Sequence, residues 1–183
     1  MAALIPSASA TGSGTMTLAG PSTNSNQTIT IPDATGTMMV SGNMPACHVY
    51  LSADQSISSA TLTKIAFDTK VYDTATCFNT STNRFTPTVA GYYQVSCGMD
   101  VSNSSAAVTR TNLCIYKNGS QLFHGPDFNS AGTYSQNMSA LVYCNGSTDY
   151  IESWGSITAT GPRFTGGYGG IYTYFTATMV RGA

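Results

Sequence analysis

From about Pro45 to Val180, apolar and aromatic residues recur at alternate positions in short runs. Clusters of Asn, Gly, Ser and Asp break these runs roughly every ten residues, as turns break strands. The runs ACHVYLSA, LTKIAFD, RFTPT, GYYQVSCGMDVS, TNLCIYKNG, NMSALVYC, DYIESWGSI and IYTYFTATMV predict strands. No segment keeps an amphipathic helical period over ten residues. Many short strands without helices predict an all-β antiparallel sandwich or jelly roll.

The pleat assigns faces within two strands. In GYYQVSCGMDV, Tyr93, Val95, Cys97, Met99 and Val101 share one face and should be core, while Tyr92, Gln94, Ser96 and Asp100 share the other. In IYTYFTATMV, Ile171, Phe175, Ala177 and Met179 should face the core, with Tyr172 and Tyr174 opposite. A strand apolar on both faces is expected to be covered on both. Tyr92, Tyr172 and Tyr174 are therefore expected at an interface. Asn118-Gly119 and Asn145-Gly146 each read as a two-residue type I′ hairpin turn.

Residues 1–45 differ from the rest. They form a Gly/Ser/Thr/Ala-rich arm whose segment NQTITIPDATGTMMVSG alternates Thr28 and Thr30 against Ile29 and Ile31 until Pro32 removes an amide donor. PDATG reads as a turn. The arm is too polar to bury a core of its own. Its strand edge at Thr28–Ile31, with Ile29, Ile31, Met38 and Met39 as apolar anchors, suits docking on a partner. The expected division is an arm over 1–45 and a folded domain over 46–183. Fully extended, the arm reaches on the order of 150 Å, too short for a long fibre shaft.

Charge sharpens this picture. Only 8% of the residues are charged and the formal net charge is −1, against about 25% charged in an average globular protein. Asp33 is the single charge in the first 53 positions, and Lys64 is the first basic residue. No basic stripe exists, so neither nucleic acid nor an anionic membrane is an expected partner. No apolar run is long enough to span a bilayer, and no basic residue precedes the apolar part of MAALIPSASA, as a secretion signal would require. So few charges leave a lone subunit poorly protected against association, which points to a surface largely covered by partners. The five cysteines, Cys47, Cys77, Cys97, Cys114 and Cys144, are odd in number, with no Cys-x-x-Cys pair. They read as buried reduced thiols rather than a zinc site or a disulfide framework.

Two segments carry a resemblance. Lys64 to Val101, KIAFDTKVYDTATCFNTSTNRFTPTVAGYYQVSCGMDV, resembles the globular-head domain of complement and its tumour-necrosis-factor-like relatives. The pattern is carried by Phe67, Phe78, Asn79, Phe85, Thr86, Pro87, Gly91, Tyr93 and Val95, with Phe175 in the last strand. The resemblance implies that Phe67, Phe85, Tyr93, Val95 and Phe175 fill the sandwich, that Pro87 and Gly91 set a corner, and that three copies pack around an axis. The arm segment TMTLAGPSTNSNQTITIPDATGTMMVSG is similar to segments of bacteriophage tail and virion proteins, its core running from Thr28 to Thr37. That similarity implies a virion surface component made in the bacterial cytoplasm, docked on a major capsid or tail protein.

Catalytic chemistry is weakly represented. Among seven Asp and one Glu, only Asp149 and Glu152 lie close in sequence, and as strand residues they would point to opposite faces. That arrangement does not suit a glycosidase pair. HGPD brings Asp127 near His124, but no nucleophile elbow accompanies it. No loop alternates Asp and Asn around Gly as a calcium site would. Neither cofactor nor metal is expected. GPRFTGGYGGIYTYF reads as a tight loop leading into the last strand, with saccharide binding as the alternative. The sequence thus predicts a non-enzymatic homotrimer on a phage particle. The arm would mount it on the capsid as a decoration or cement protein; the alternative is the tip of a short tail or head fibre that recognises a host surface saccharide.

Overall fold

The computed structural model describes residues 44–103, 108–128 and 135–183. The arm positions Thr28, Ile29, Thr30, Ile31, Pro32, Met38 and Met39 lie outside the described residues.

The described chain is all β and antiparallel, with fourteen strands: β1 (Ala46–Tyr50), β2 (Gln55–Ser56), β3 (Thr63–Lys64), β4 (Thr69–Asp73), β5 (Phe78–Asn79), β6 (Arg84–Phe85), β7 (Ala90–Met99), β8 (Val101–Asn103), β9 (Arg110–Lys117), β10 (Ser120–His124), β11 (Gln136–Asn145), β12 (Ile151–Thr158), β13 (Pro162–Phe164) and β14 (Tyr174–Gly182). The first sheet runs β11-β7-β14-β1-β4. The second runs β10-β9-β12-β6-β5, with β3 also paired to β12. A small third sheet, β2-β13-β8, completes the jelly roll.

The predicted pleat of β7 places Tyr93, Val95, Cys97 and Met99 in the core. At its centre, Phe175 lies 6.1 Å from Phe67, 5.7 Å from Phe78 and 6.1 Å from Phe85, ring centre to ring centre. Phe67, Phe85, Pro87 and Gly91 are buried as well. The buried Tyr93 hydroxyl donates to the Val89 carbonyl at 2.6 Å, so the ring's one polar atom is satisfied where it enters the core.

The structure corrects several expectations. Gly91 is not a corner residue but sits within β7. A Cβ there would come within 2.3 Å of the Arg181 carbonyl, so glycine lets the irregular end of β14 approach closely. Asn118-Gly119 does form the tight β9–β10 turn, both residues having positive φ (53° and 78°). Asn145-Gly146 does not repeat it: β11 pairs with β7 and β12 with β9, so the loop crosses between sheets. There the Asn145 side-chain oxygen accepts from the amides of Ser147, Thr148 and Asp149, holding an open corner in place of a hairpin. β14 begins at Tyr174, not at Ile171. Ile171 is 72% exposed rather than core, because a Gly-rich loop with a 3-10 turn at Tyr168–Gly170 delays the strand. LTKIAFD yields only the two-residue β3, although Ile65 and Phe67 are buried from irregular backbone. Asp149 precedes β12, so the strand-alternation argument does not apply to it.

Chain direction defines two ends. Pro45 accepts from the Met179 amide and the Ala183 amide donates to Ala90, so the domain begins and finishes at one end, the base. The opposite end, the tip, gathers Leu51, Gly167 and Thr173 through backbone hydrogen bonds and Asp100 through its amide's bond to the Thr173 hydroxyl, and lies one β7 length away, roughly 30 Å.

Candidate functional site

The outward face of the first sheet holds two of the three tyrosines expected at an interface. Along β7, β14 and β11, the outward positions are Tyr92, Gln94 and Ser96; Tyr174, Thr176 and Thr178; Asn137, Ser139, Leu141 and Tyr143. None of these ten side chains is charged, but Arg181 of β14 pairs with Tyr92 and is exposed beside it, and Lys117 Nζ lies 5.6 Å from the Tyr143 ring centre. Tyr92 stacks against Tyr143 with ring centres 5.5 Å apart, next to Leu141, which is 54% exposed. Tyr174 lies opposite Gly98, six residues along β7 from Tyr92, or roughly 20 Å away. A Cβ at Gly98 would stand 2.5 Å from the Tyr174 ring, so the glycine lets that ring lie against the sheet. The Tyr174 hydroxyl donates to Asn137 Oδ1 at 3.2 Å, and its ring meets the edge-on His48, which also contacts Tyr72. Burial holds the His48 imidazole below its ordinary pKa, and its Nε2 is buried without a hydrogen-bond partner. Tyr172 falls outside the strand, in the loop before it, and is exposed. The face therefore brings Tyr92 and Tyr143 together and sets Tyr174 apart from them. Tyr143 and Leu141 were missed in sequence, although their alternation with Val142 and Cys144 carries the signal.

His124 and Asp127 do not touch as a catalytic pair. Asn112, 4% exposed, stands between them: its Nδ2 donates to Asp127 Oδ1 at 3.0 Å and meets His124 Nε2 at 2.5 Å. The Gly125 carbonyl, 2.6 Å from His124 Nδ1, can only accept, which places the imidazole proton on Nδ1. Asp127 is ion-paired to Arg110 at 2.8 Å, and hydrogen bonds from Arg110 and Asn112 hold its carboxyl below the usual range. The neighbouring Cys114 donates to Asn112 Oδ1, and burial pushes its thiol up to about 11. Such a thiol is no nucleophile near neutrality. All five cysteines are free and buried, as their sequence pattern suggested.

The outward face of the second sheet carries a denser group. Glu152, 2% exposed, accepts from Lys64 Nζ at 3.0 Å and Arg84 Nε at 2.9 Å through Oε1, and from Trp154 Nε1 at 3.0 Å through Oε2. Burial raises the pKa of its carboxyl, but these three hydrogen bonds outweigh burial and hold it below the ordinary value. Trp154, the chain's single tryptophan, stacks on Tyr116 with centres 5.1 Å apart and planes 30° apart. The Arg84 guanidinium lies 4.0 Å from the Tyr150 ring centre, and Lys64 Nζ 5.8 Å from that of Trp154. Sequence reading missed this group because the residues joined through Glu152 lie up to 88 positions apart. The ESW tripeptide, with the only Glu two positions before the only Trp and so on the same face of a strand, was the available hint. Among the described residues no cluster of His, Cys, Asp and Glu could hold a metal ion, and no helix is long and apolar enough to cross a membrane.

No protein-family model matches the chain, and no curated protein matches it. Solved structures do. The globular domain of zebrafish complement 1qA protein is 16% identical, with 76% of this chain and 99% of that one covered and a TM-score of 0.52. The Eiger TNF from S. frugiperda is 7% identical over 77% and 95% of the two chains, with a TM-score of 0.55. Murine APRIL is 9% identical over 75% and 99%, with a TM-score of 0.51. The described domain has the jelly-roll fold of the complement globular head and the tumour-necrosis-factor-like proteins.

Proposed function

We propose that this protein is a non-enzymatic homotrimeric knob of a bacteriophage particle, mounted by its N-terminal arm on a capsid protein that it decorates or cements. The observation that carries self-association is the charge-poor outward face of β7, β14 and β11, where Arg181 beside Tyr92 is the charged position on those strands. Covering the part of it away from Arg181 desolvates no ion, whereas a charged face would lose several kcal/mol per ion. Its paired Tyr92 and Tyr143 and its exposed Leu141 supply the apolar area. An obligate interface of this kind buries more than about 2,000 Å². The phage assignment rests on the arm's similarity to virion segments and on its near absence of charge. Three arms from one trimer bind together, so a modest single-arm affinity becomes a large avidity. The free, buried thiols fit synthesis in a reducing cytoplasm.

The second reading, a fibre tip that contacts a host surface, is favoured by one observation. The tip loop carrying Ile171, 72% exposed, lies at the end of the domain away from where the arm enters.

The test is rebinding of purified protein to particles stripped of it, with oligomeric state followed by light scattering. Deletion of residues 1–44 should leave a soluble trimer that no longer joins the particle. Replacing Ile29 and Ile31 with Lys should act alike. Wild-type occupancy by the truncated protein would make the knob the docking element, and a monodisperse monomer would end the trimer reading.

A further inference from the structure

We propose that the outward face of the second sheet binds hexuronate glycans: the sugar ring packs on Trp154 and Tyr116 while its carboxylate engages Arg84 and Lys64. This goes beyond the reading above and does not depend on it, because the face lies on the other sheet from the one proposed for self-association, with Lys64, Arg84, Tyr116 and Trp154 half-buried in the single chain.

The argument begins with how Arg84 is held. Its Nε is fixed to Glu152 and its plane lies over Tyr150, so the guanidinium is locked at two points. Among the described residues its terminal amino groups have no partner, and the side chain is 38% exposed. A fixed, outward planar fork is the geometry that grips a carboxylate through two parallel hydrogen bonds, with its rotamer entropy spent in advance. Lys64, 27% exposed, gives one hydrogen to Glu152 and one to the Thr82 carbonyl, which leaves a third for a ligand.

The aromatic part is adjacent. Arg84 and Trp154 bond to the two oxygens of one carboxylate, so the cationic fork and the indole stand within one sugar length of each other. Trp154 is oriented by its Nε1 bond to Glu152 and by Tyr116. A sugar presents an apolar C–H face to such a ring, and a hexuronate carries its carboxylate on the rim of the same ring. The charges agree: Lys64 and Arg84 against Glu152 leave the group one unit positive, in a chain whose formal net charge is −1. Neutral sugars would leave the fork unsatisfied. A bare anion would leave the exposed part of the indole without a contact.

Trp154 makes the test direct, because all tryptophan fluorescence of the chain arises at the site. The full-length protein is titrated with oligogalacturonates, oligoglucuronates, oligomannuronates and oligoguluronates to about 10 mM, well above a weak millimolar dissociation constant. Methyl-esterified oligogalacturonate and maltotriose serve as neutral controls. We expect a saturable fluorescence change with at least one hexuronate, weakened by added salt and absent with its methyl ester. Arg84→Gln should weaken binding at least tenfold, and Arg84→Lys, which keeps the charge but loses the fork, should restore only part of it. Calorimetry on Trp154→Phe, which keeps a ring, should show weaker binding with the fold intact by circular dichroism. Saturable binding of ester and acid alike, wild-type affinity in Arg84→Gln, or no response to any of the four hexuronates each overturns the proposal.

Discussion

Glu152→Gln is the most informative single change in the described domain, because it removes one charge and keeps the shape. In the native protein the carboxylate receives charge-assisted hydrogen bonds from Lys64 and Arg84 and a neutral one from Trp154. A hydrogen bond to a charged group contributes about 1.5–3 kcal/mol. Breaking a fully buried ion pair costs about 3–5 kcal/mol. Here the two cations are 27% and 38% exposed and regain water when the carboxylate is lost, and the glutamine oxygen can still accept from the indole. The expected loss is therefore about 2 kcal/mol at pH 7, less than the fully buried case. The pH dependence has a definite sign. The folded carboxyl sits below the ordinary glutamate value of 4.5, so its contribution is present above that value and fades as the pH falls through the folded one. Urea unfolding of wild type and variant at one protein concentration, followed by Trp154 fluorescence, should show a midpoint difference at pH 7 that shrinks at pH 3. A difference below about 0.5 kcal/mol at pH 7, the size of an ordinary surface substitution, would refute the reasoning, as would one that does not change with pH.

Other consequences follow from the same geometry. Phe175→Ala, at the centre of four packed rings, should cost about 3–5 kcal/mol in urea unfolding, with the cavity left largely unrelaxed. Leu141→Lys, which places a charge in the uncharged part of this face, should lower the mass seen by light scattering at micromolar concentration while leaving the circular dichroism of the domain unchanged. The native protein should resist iodoacetamide at pH 8, since all five thiols are buried and burial pushes Cys144 up to about 11 and Cys97 up to about 12. In urea all five should react, and a mass spectrum showing fewer additions would reveal a disulfide. His124→Ala should leave particle binding intact; release of reducing ends from a surface polysaccharide that is lost in this variant would mean an enzyme.

Much of the sandwich was legible because period-2 alternation is a local signal: in β7 it gives the face of Tyr93, Val95, Cys97 and Met99 directly. The Asn118-Gly119 turn was legible for the same reason, as its dihedral demand is met by two adjacent residues. What failed was non-local. Asn145-Gly146 has the same dipeptide, but its flanking strands belong to different sheets, and only the pairing decides that. β4 went unseen because TKVYD, an edge strand with Val71 and Tyr72 exposed, carries no buried stripe. Ile171 follows the period of the last strand but sits beyond where backbone pairing begins. The Glu152 group joins β3, β6 and β12, and no sequence window contains all three.

The shared base has a mechanical consequence. β1 runs from base to tip between β14 and β4, and β14 runs back beside it to Ala183. Tension applied between Met44 and Ala183 opens this pair from one end, one hydrogen bond after another, like a zip. Tension between Met44 and the tip loop at Ile171 acts along β1 and loads its hydrogen bonds together, in shear. Forced unfolding is governed by the unfolding rate, so a knob held by its arm and pulled from its far end outlasts the same knob pulled by its two termini.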